Sequence, residues 1–146
     1  MTLSRALSIW LDSQGFSAEN LDATIHNRTT PLMQAARLGD HAIAAELIQC
    51  GADLNTTNSD GNNALWLACF NGDPQLIGLL IEKGIELNNQ NDNGATCLMY
   101  AASASKTEVV AQLLKAGADT KVKTLDDFSA LDMAGNLACL TMLRRV

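Results

Sequence analysis

The segment TTPLMQAA at residues 29–36 returns as NNALWLAC at residues 62–69 and as ATCLMYAA at residues 95–102. Each copy begins 33 residues after the one before, without insertion or deletion. A fixed period of this length is typical of a repeat protein whose units stack into a solenoid. The same step relates four sets of residues: Leu32, Leu65, Leu98 and Leu131; Ala35, Ala68, Ala101 and Ala134; Leu47, Leu80 and Leu113; Gly51, Gly84 and Gly117.

Each unit predicts two helices followed by a polar loop. Thr30 is a favourable N-cap and Pro31 a favourable first helical residue. A longer apolar-periodic stretch follows, and Asp73-Pro74 marks its start in the second unit. The periodic glycine stands where a helix usually ends with a positive φ. The loops that come next are rich in Asn, Asp and Gly, which favour tight turns.

The period, TTPLMQAA and the later GADLN at residues 51–55 resemble the ankyrin repeat, with its Gly-x-Thr-Pro-Leu-His-x-Ala-Ala and Gly-Ala-Asp pattern. The resemblance implies an all-α ankyrin-repeat solenoid of stacked helix-turn-helix units with finger loops. It predicts an N-terminal helical cap at residues 1–26, repeats at 27–59, 60–92 and 93–125, and a truncated C-terminal capping repeat at 126–146.

Two departures from the family pattern affect the fingers. The family histidine, which braces the fingers, is replaced in all units, and the finger glycine is replaced in the first and last units. These changes leave the rigidity of the fingers open. The substituted residues are Met33, Trp66, Met99 and Asp132 for the histidine, and Arg28 and Asp127 for the glycine.

Both ends of the chain carry helical patterns that suit caps. At the amino end, Leu3, Leu7, Trp10 and Leu11 fall on one helical face. We expect this face to cover the first repeat. At the other end the expected inward stripe consists of Leu137, Leu140 and Leu143.

Composition disfavours several classes of partner and location. Asp and Glu total 16 against 10 Lys and Arg, and the net charge of −6 repels phosphate backbones, so nucleic acid is not an expected partner. No apolar run approaches the ~18 residues of a membrane span, so no membrane contact is expected. The amino-terminal segment MTLSRALSIWLDSQG is amphipathic rather than a signal peptide. We expect a cytoplasmic monomer.

The four cysteines show no metal-binding spacing. Cys50, Cys69, Cys97 and Cys139 form no C-x-x-C pair, and the chain has two histidines. We expect reduced core residues, with Cys69 and Cys97 buried and no disulfide between any two of the four.

Little in the sequence points to catalysis or to a cofactor. The stretch from Asn89 to Gly94 approximates a calcium loop, but its first ligand is neutral and Tyr100 stands where the bidentate Glu is required. A calcium-modulated binding module is therefore the alternative to a plain interaction module. No nucleophile or phosphate-loop motif is present, so we expect neither enzymatic activity nor a bound cofactor or metal.

In ankyrin proteins the fingers and first helices form a concave surface that binds other proteins, which implies a non-catalytic adaptor, scaffold or regulator. Phe70 is the expected aromatic anchor, with Phe128 at a finger position of the last unit. Trp66 could pack between repeats or contact the partner. Acidic finger residues suggest a partner with a basic patch. The candidate binding residues are Asn62, Trp66, Phe70, Asn71, Ala95, Met99, Ser103, Ala104 and Phe128, with Thr29, Arg37, Leu38 and Asn136 at equivalent outward-facing positions.

Overall fold

The computed structural model describes residues 2–146 and contains nine α-helices within that range. No β-strand occurs there, and the sole pairing is an isolated bridge between Ile25 and Thr29. The all-α prediction is therefore confirmed. The helices are α1 Arg5–Gln14, α2 Pro31–Leu38, α3 His41–Gln49, α4 Ala64–Asn71, α5 Pro74–Glu82, α6 Cys97–Ser103, α7 Thr107–Lys115, α8 Ala130–Met133 and α9 Leu137–Arg144.

The helices α2 to α9 form four pairs stacked in two layers. The first helices of the pairs (α2, α4, α6 and α8) pack side by side, and the second helices (α3, α5, α7 and α9) form the layer behind them. Side chains that repeat at the 33-residue step fill the space between the layers, and Leu65, Leu80 and Leu98 are at most 1% exposed. Each such leucine contributes roughly 1.5–3 kcal/mol, and only stacking of the units buries it.

Helix starts repeat with the same step. Thr30, Asn63, Thr96 and Ser129 each precede a first helix, and each side chain accepts a hydrogen bond from the backbone N–H three residues later. Loss of one such cap costs about 1 kcal/mol. Because the capping residue ends the finger and begins the helix, it fixes the angle between them.

Backbone hydrogen bonds join successive fingers. The N–H groups of Asp92 and Leu125 donate to the carbonyl oxygens of Asp60 and Asn93, each at 3.0 Å. Arg28 and Asp127, at the finger-glycine position, take positive φ angles of 55° and 68°. The two substitutions therefore keep the left-handed backbone conformation that a glycine would take in the turn. This conformation costs a non-glycine residue roughly 1–2 kcal/mol.

The caps agree only in part with the predicted faces. Leu7 and Leu11 of α1 are fully buried, and the Ser4 backbone N–H donates to the Glu46 carboxylate at 2.8 Å. On α9, Leu143 is buried, but Leu137 is 75% exposed, so the expected inward stripe is wrong at that residue. Leu137 is the first residue of α9, at the turn between the two layers.

The fourth unit contains both of its helices, but α8 has only four residues. The helix ends at Met133 because Ala134 leaves the helical conformation (ψ 121°), and the next N–H, that of Gly135, donates to the Ala102 carbonyl of α6 at 2.8 Å. A Cβ at Gly135 would lie 2.7 Å from the Ser103 carbonyl oxygen and from Ser105 Oγ. This close approach requires glycine.

Candidate functional site

Three aromatic side chains meet on the exposed side of the first helices. The Trp66 and Tyr100 ring centroids lie 5.0 Å apart, and those of Phe70 and Tyr100 lie 6.3 Å apart. Both pairs are tilted, within the range of favourable aromatic packing. We call Trp66, Phe70 and Tyr100 the aromatic cluster, and the exposed side of α2, α4 and α6 with the adjoining fingers the first-helix face.

Helix geometry explains why the cluster forms. Trp66 and Phe70 are four residues apart on α4 and therefore share one face of that helix. Tyr100 lies in the middle of the neighbouring α6 and reaches both rings. Phe70 is 52% exposed, whereas Trp66 and Tyr100 are half-buried. An aromatic anchor for a partner needs such accessible apolar area on a rigid support.

Lys106 ties the cluster to the next unit. Its Nζ donates to the Phe70 carbonyl oxygen at 2.8 Å and lies 5.9 Å from the centre of the Tyr100 ring. The first contact satisfies a carbonyl in the last turn of α4, where a cation is favourable. The second is a cation–π contact. Burial and the nearby Cys69 side chain raise the pKa of Tyr100, so its hydroxyl stays protonated further into the alkaline range than that of a free tyrosine.

The structure exposes five of the nine candidate binding residues and half-buries one. Trp66 is the half-buried one: it packs against Tyr100 and is also partly exposed, so it can both pack between repeats and contact a partner. The Asn71 side chain donates to the Arg37 carbonyl at 3.3 Å and accepts from the Asp73 N–H, which makes it a bridge between units. The exposed residues are Phe70, Asn71, Ser103, Ala104 and Phe128.

The expectation that Asn62 and Ala95 face outward is wrong, and Met99 is also unavailable to a partner. Asn62 and Ala95 are each 8% exposed, because the next finger covers them; the Asn62 carboxamide oxygen accepts from Asn91 Nδ2 at 3.1 Å. Met99 is 1% exposed and packs back toward the Thr96 N–H. Within the sequence of one unit these positions appear exposed, and their burial becomes evident only in the stacked protein.

Phe128 is exposed but forms no ring contact with the aromatic cluster within residues 2–146. The structure instead adds Tyr100 and Lys106, which sequence reasoning did not place in the site. Tyr100 follows the family-histidine position by one residue, and its equivalents Gln34 and Leu67 are also half-buried. Its position on the first helix, directly after the family-histidine position, is the sequence signal that could have found it.

The Asn-rich third finger uses its side chains to build the turn. The Asn91 carboxamide oxygen accepts from the backbone N–H groups of Asn93 at 2.9 Å and Ala95 at 3.0 Å. Asn89 donates to the Gly61 carbonyl at 2.9 Å. Asn91 therefore builds the turn of the third finger, and Asn89 ties that finger to the second one. Among residues 2–146, no group of three or more His, Cys, Asp and Glu side chains is placed to hold a metal ion.

The four cysteines are unbridged, as expected. Cys69, Cys97 and Cys139 are buried and Cys50 is half-buried. The neighbouring Cys97 side chain and burial raise the pKa of the Cys69 thiol, which is therefore protonated and unreactive at neutral pH. Cys69, Cys97 and Cys139 belong to the hydrophobic core.

Charge is distributed unevenly over the fingers. Asp60, Asp92 and Asp126 are exposed at successive finger tips, whereas the first finger carries Arg28. Over residues 2–146, the one ion pair joins Lys123 and Asp127 at 3.6 Å. In the same range, no helix has the length and apolar character needed to cross a membrane.

A family model described as "Ankyrin repeats" matches residues 7–91, 32–124 and 69–144. Among curated relatives, human and mouse "Neurogenic locus notch homolog protein 2" are each 47% identical over 53 residues, 36% of this chain. Zebrafish (Danio rerio) "Neurogenic locus notch homolog protein 1" is 46% identical over 55 residues, 37% of this chain. The matches span only 2% of each relative's length.

Proposed function

Because the chain belongs to the ankyrin-repeat family, we propose that it binds a protein partner on the first-helix face, with the aromatic cluster at the centre of the contact. Ankyrin repeats are in general modules for protein–protein interaction. The observation that carries the proposal is the half-exposed Phe70 ring, held beside Tyr100 on a rigid helix. Aromatic side chains in such settings usually dominate binding energy.

The immediate surroundings of Phe70 suit a binding surface. Ser103 and Ala104 at the end of α6 are exposed and small, so they leave the cluster accessible. Arg37 and Leu38 extend the same row on α2 and are also exposed. The face thus combines an apolar centre with adaptable polar and charged margins, the usual anatomy of a protein interface.

We propose a non-catalytic role as adaptor, scaffold or regulator in a reducing compartment, the cytoplasm. Four unbridged thiols are consistent with that location. Calcium modulation through the fingers is less well supported, because the Asn91 oxygen already accepts two backbone N–H groups. Titration calorimetry with calcium should show no saturable heat. A stoichiometric, saturable signal would restore the calcium-modulated module.

Capture of partners from the source cell tests the proposal. Wild-type protein is compared with Phe70→Ala and with Ile9→Ala, which removes an apolar side chain that is 59% exposed on the cap helix α1. Phe70→Ala should weaken binding of the captured partner by about 1–3 kcal/mol, the range for an aromatic anchor. It should cost less than about 1.5 kcal/mol of stability, the value of one aromatic pair.

Ile9→Ala should bind normally. If Phe70→Ala melts several degrees lower and yet binds as wild type when folded, Phe70 is a packing residue and the binding face lies elsewhere. Partners that are lost with Ile9→Ala but retained with Phe70→Ala would move the interface to the amino-terminal cap.

A further inference from the structure

We infer that the partner presents a peptide segment in which a Lys or Arg side chain stands beside a bulky apolar one. The apolar side chain covers the aromatic cluster, and the basic one faces the second and third finger tips. This inference rests on the proposed function and specifies the chemistry of the partner.

The second and third finger tips each present an exposed carboxylate, that of Asp60 and that of Asp92. The Asp92 N–H donates to the Asp60 carbonyl at 3.0 Å, which joins the tips through their backbones. The Asp92 carboxylate lies against the Gly61 backbone, where a Cβ would meet its Oδ1 at 2.6 Å. Both aspartates are exposed. Because the fingers are bonded to each other, the two charges lie on adjoining finger tips.

Neither carboxylate is neutralised by a cation within residues 2–146. The ion pair in that range is Lys123–Asp127, on the fourth finger. The Asp60 carboxylate receives only a long contact of 3.5 Å from the neutral Asn27 carboxamide. Two adjacent like charges without a counter-ion attract a basic group from outside.

Asp60 and Asp92 each lie shortly before one of the two helices that carry the aromatic cluster, α4 and α6. Asp60 precedes Trp66 by six residues, and Asn63 between them caps α4 by accepting from the Trp66 N–H at 3.2 Å. Asp92 precedes Tyr100 by eight residues, and Thr96 between them caps α6 by accepting from the Met99 N–H at 3.3 Å. A short extended segment, on the order of six to eight residues, covers either span. One segment can therefore reach both features.

The charges of the first unit limit where along the protein a basic segment can bind. The first unit presents Arg28 on its finger and Arg37 on α2, both exposed. A basic side chain is repelled there and attracted to Asp60 and Asp92 at the second and third finger tips, whereas the Lys106 ammonium beside the rings favours an apolar side chain over the cluster itself. The basic side chain then supplies steering and salt sensitivity, and burial of the rings supplies most of the affinity.

Selection from a phage-displayed library of random dodecapeptides tests the inference. Peptides enriched on the wild-type protein should pair at least one Lys or Arg with a bulky apolar residue. Their affinity should fall roughly tenfold or more for Phe70→Ala, as expected for an anchor. It should fall about three- to tenfold for the double variant Asp60→Asn/Asp92→Asn at low salt, with a smaller difference at high salt.

Two matched controls separate local from general effects. Glu82→Gln/Glu108→Gln removes the same amount of charge from exposed positions on α5 and α7, in the second layer. Ile9→Ala removes an exposed apolar side chain from α1. Both should bind the selected peptides as the wild type does.

The outcomes distinguish the inference from the proposed function. Peptides without basic residues that still depend on Phe70 would overturn the inference and leave the proposed function standing. Equal losses of peptide affinity in Asp60→Asn/Asp92→Asn and Glu82→Gln/Glu108→Gln would also overturn the inference, because the net charge of the protein, and not the position of the carboxylates, would then determine the affinity. Peptides indifferent to Phe70→Ala would overturn the proposed face itself. A library that yields no enriched peptide would count against the inference, because a surface built for such a segment selects it.

Discussion

Gly135→Ala should destabilise the fourth unit, although it adds a single methyl group. The new Cβ would lie 2.7 Å from both the Ser103 carbonyl oxygen and Ser105 Oγ, and 3.4 Å from the Ala102 carbonyl oxygen. The serine hydroxyl can rotate away, but the Ser103 carbonyl belongs to the end of α6 and moves only with its helix. Either α6 or the fourth unit must therefore shift.

The shift has two costs. Overpacking of this kind costs about 1–3 kcal/mol. The 2.8 Å hydrogen bond from the Gly135 N–H to the Ala102 carbonyl is also lost or lengthened, which costs about 1 kcal/mol. Alanine also lowers the conformational entropy of the unfolded chain, which offsets about 0.4–1 kcal/mol of this destabilisation. The net expectation is a loss of about 1–3 kcal/mol, or a fall in Tm of roughly 2–12 °C for a domain of this size.

Gly78→Ala is the matched control, because it makes the same chemical change with the opposite expected sign. Gly78 lies inside α5, and a Cβ there would meet only Gln112 Nε2 at 3.5 Å, an ordinary contact. Alanine is favoured over glycine in a helix interior by about 0.5–1 kcal/mol. This variant should melt slightly above the wild type.

Thermal melting followed by circular dichroism measures both variants, and hydrogen exchange locates the weakened part. Gly135→Ala should lose protection first in α8 and α9, since each unit depends on its neighbour. A Gly135→Ala protein that melts at or above the wild-type temperature would refute the steric argument. So would a loss of protection confined to α2 and α3.

Cys69, Asn91 and Cys50 each allow a further test. The pKa of the Cys69 thiol is raised in the folded protein, so the unfolded chain loses that proton first, and the free energy of unfolding should fall above about pH 9 by up to ~1.4 kcal/mol per pH unit. Urea unfolding from about pH 8 to about pH 10 should show a smaller fall for Cys69→Ala than for the wild type, and an equal fall in both proteins would contradict the prediction. Asn91→Ala should cost about 2–3 kcal/mol, since it removes two backbone caps and the Asn62 contact, while Asn93→Ala should be nearly neutral in the same denaturant titration. Thiol titration should find four free thiols after unfolding, with Cys50 reacting first in the folded protein, and a count below four would reveal a disulfide.

Most of the fold could be predicted because it depends on local signals that repeat. Thr30-Pro31 starts a helix through the hydrogen bond and backbone angle of those residues alone. The periodic glycine ends the second helix of a unit, as at Gly51, where φ is 92°. Conversely, Leu137 belongs to an apolar pattern that helix periodicity assigns to the core, yet it is exposed at the start of α9.

The candidate site was predictable only in part, because exposure depends on the neighbouring unit. Phe70 lies near the end of α4 and remains 52% exposed even beside Tyr100, so its exposure could be anticipated. Asn62 also looks outward-facing within its own unit, but Asn91 from the next finger covers it and donates a hydrogen bond from Nδ2 to the Asn62 carboxamide oxygen at 3.1 Å. No pattern within one unit distinguishes these two cases.

The sequence by itself determined the unit: its length, its helix starts and ends, and the leucines that need burial, because caps, turns and amphipathic faces arise from residues a few positions apart. Only the tertiary structure decided how units meet. Tyr100 joins Trp66 and Phe70 across two helices, and Lys106 reaches a carbonyl 36 residues away. Such contacts depend on the distance and rotation between stacked units. Those quantities are set by close packing of many side chains at once rather than by any local sequence preference.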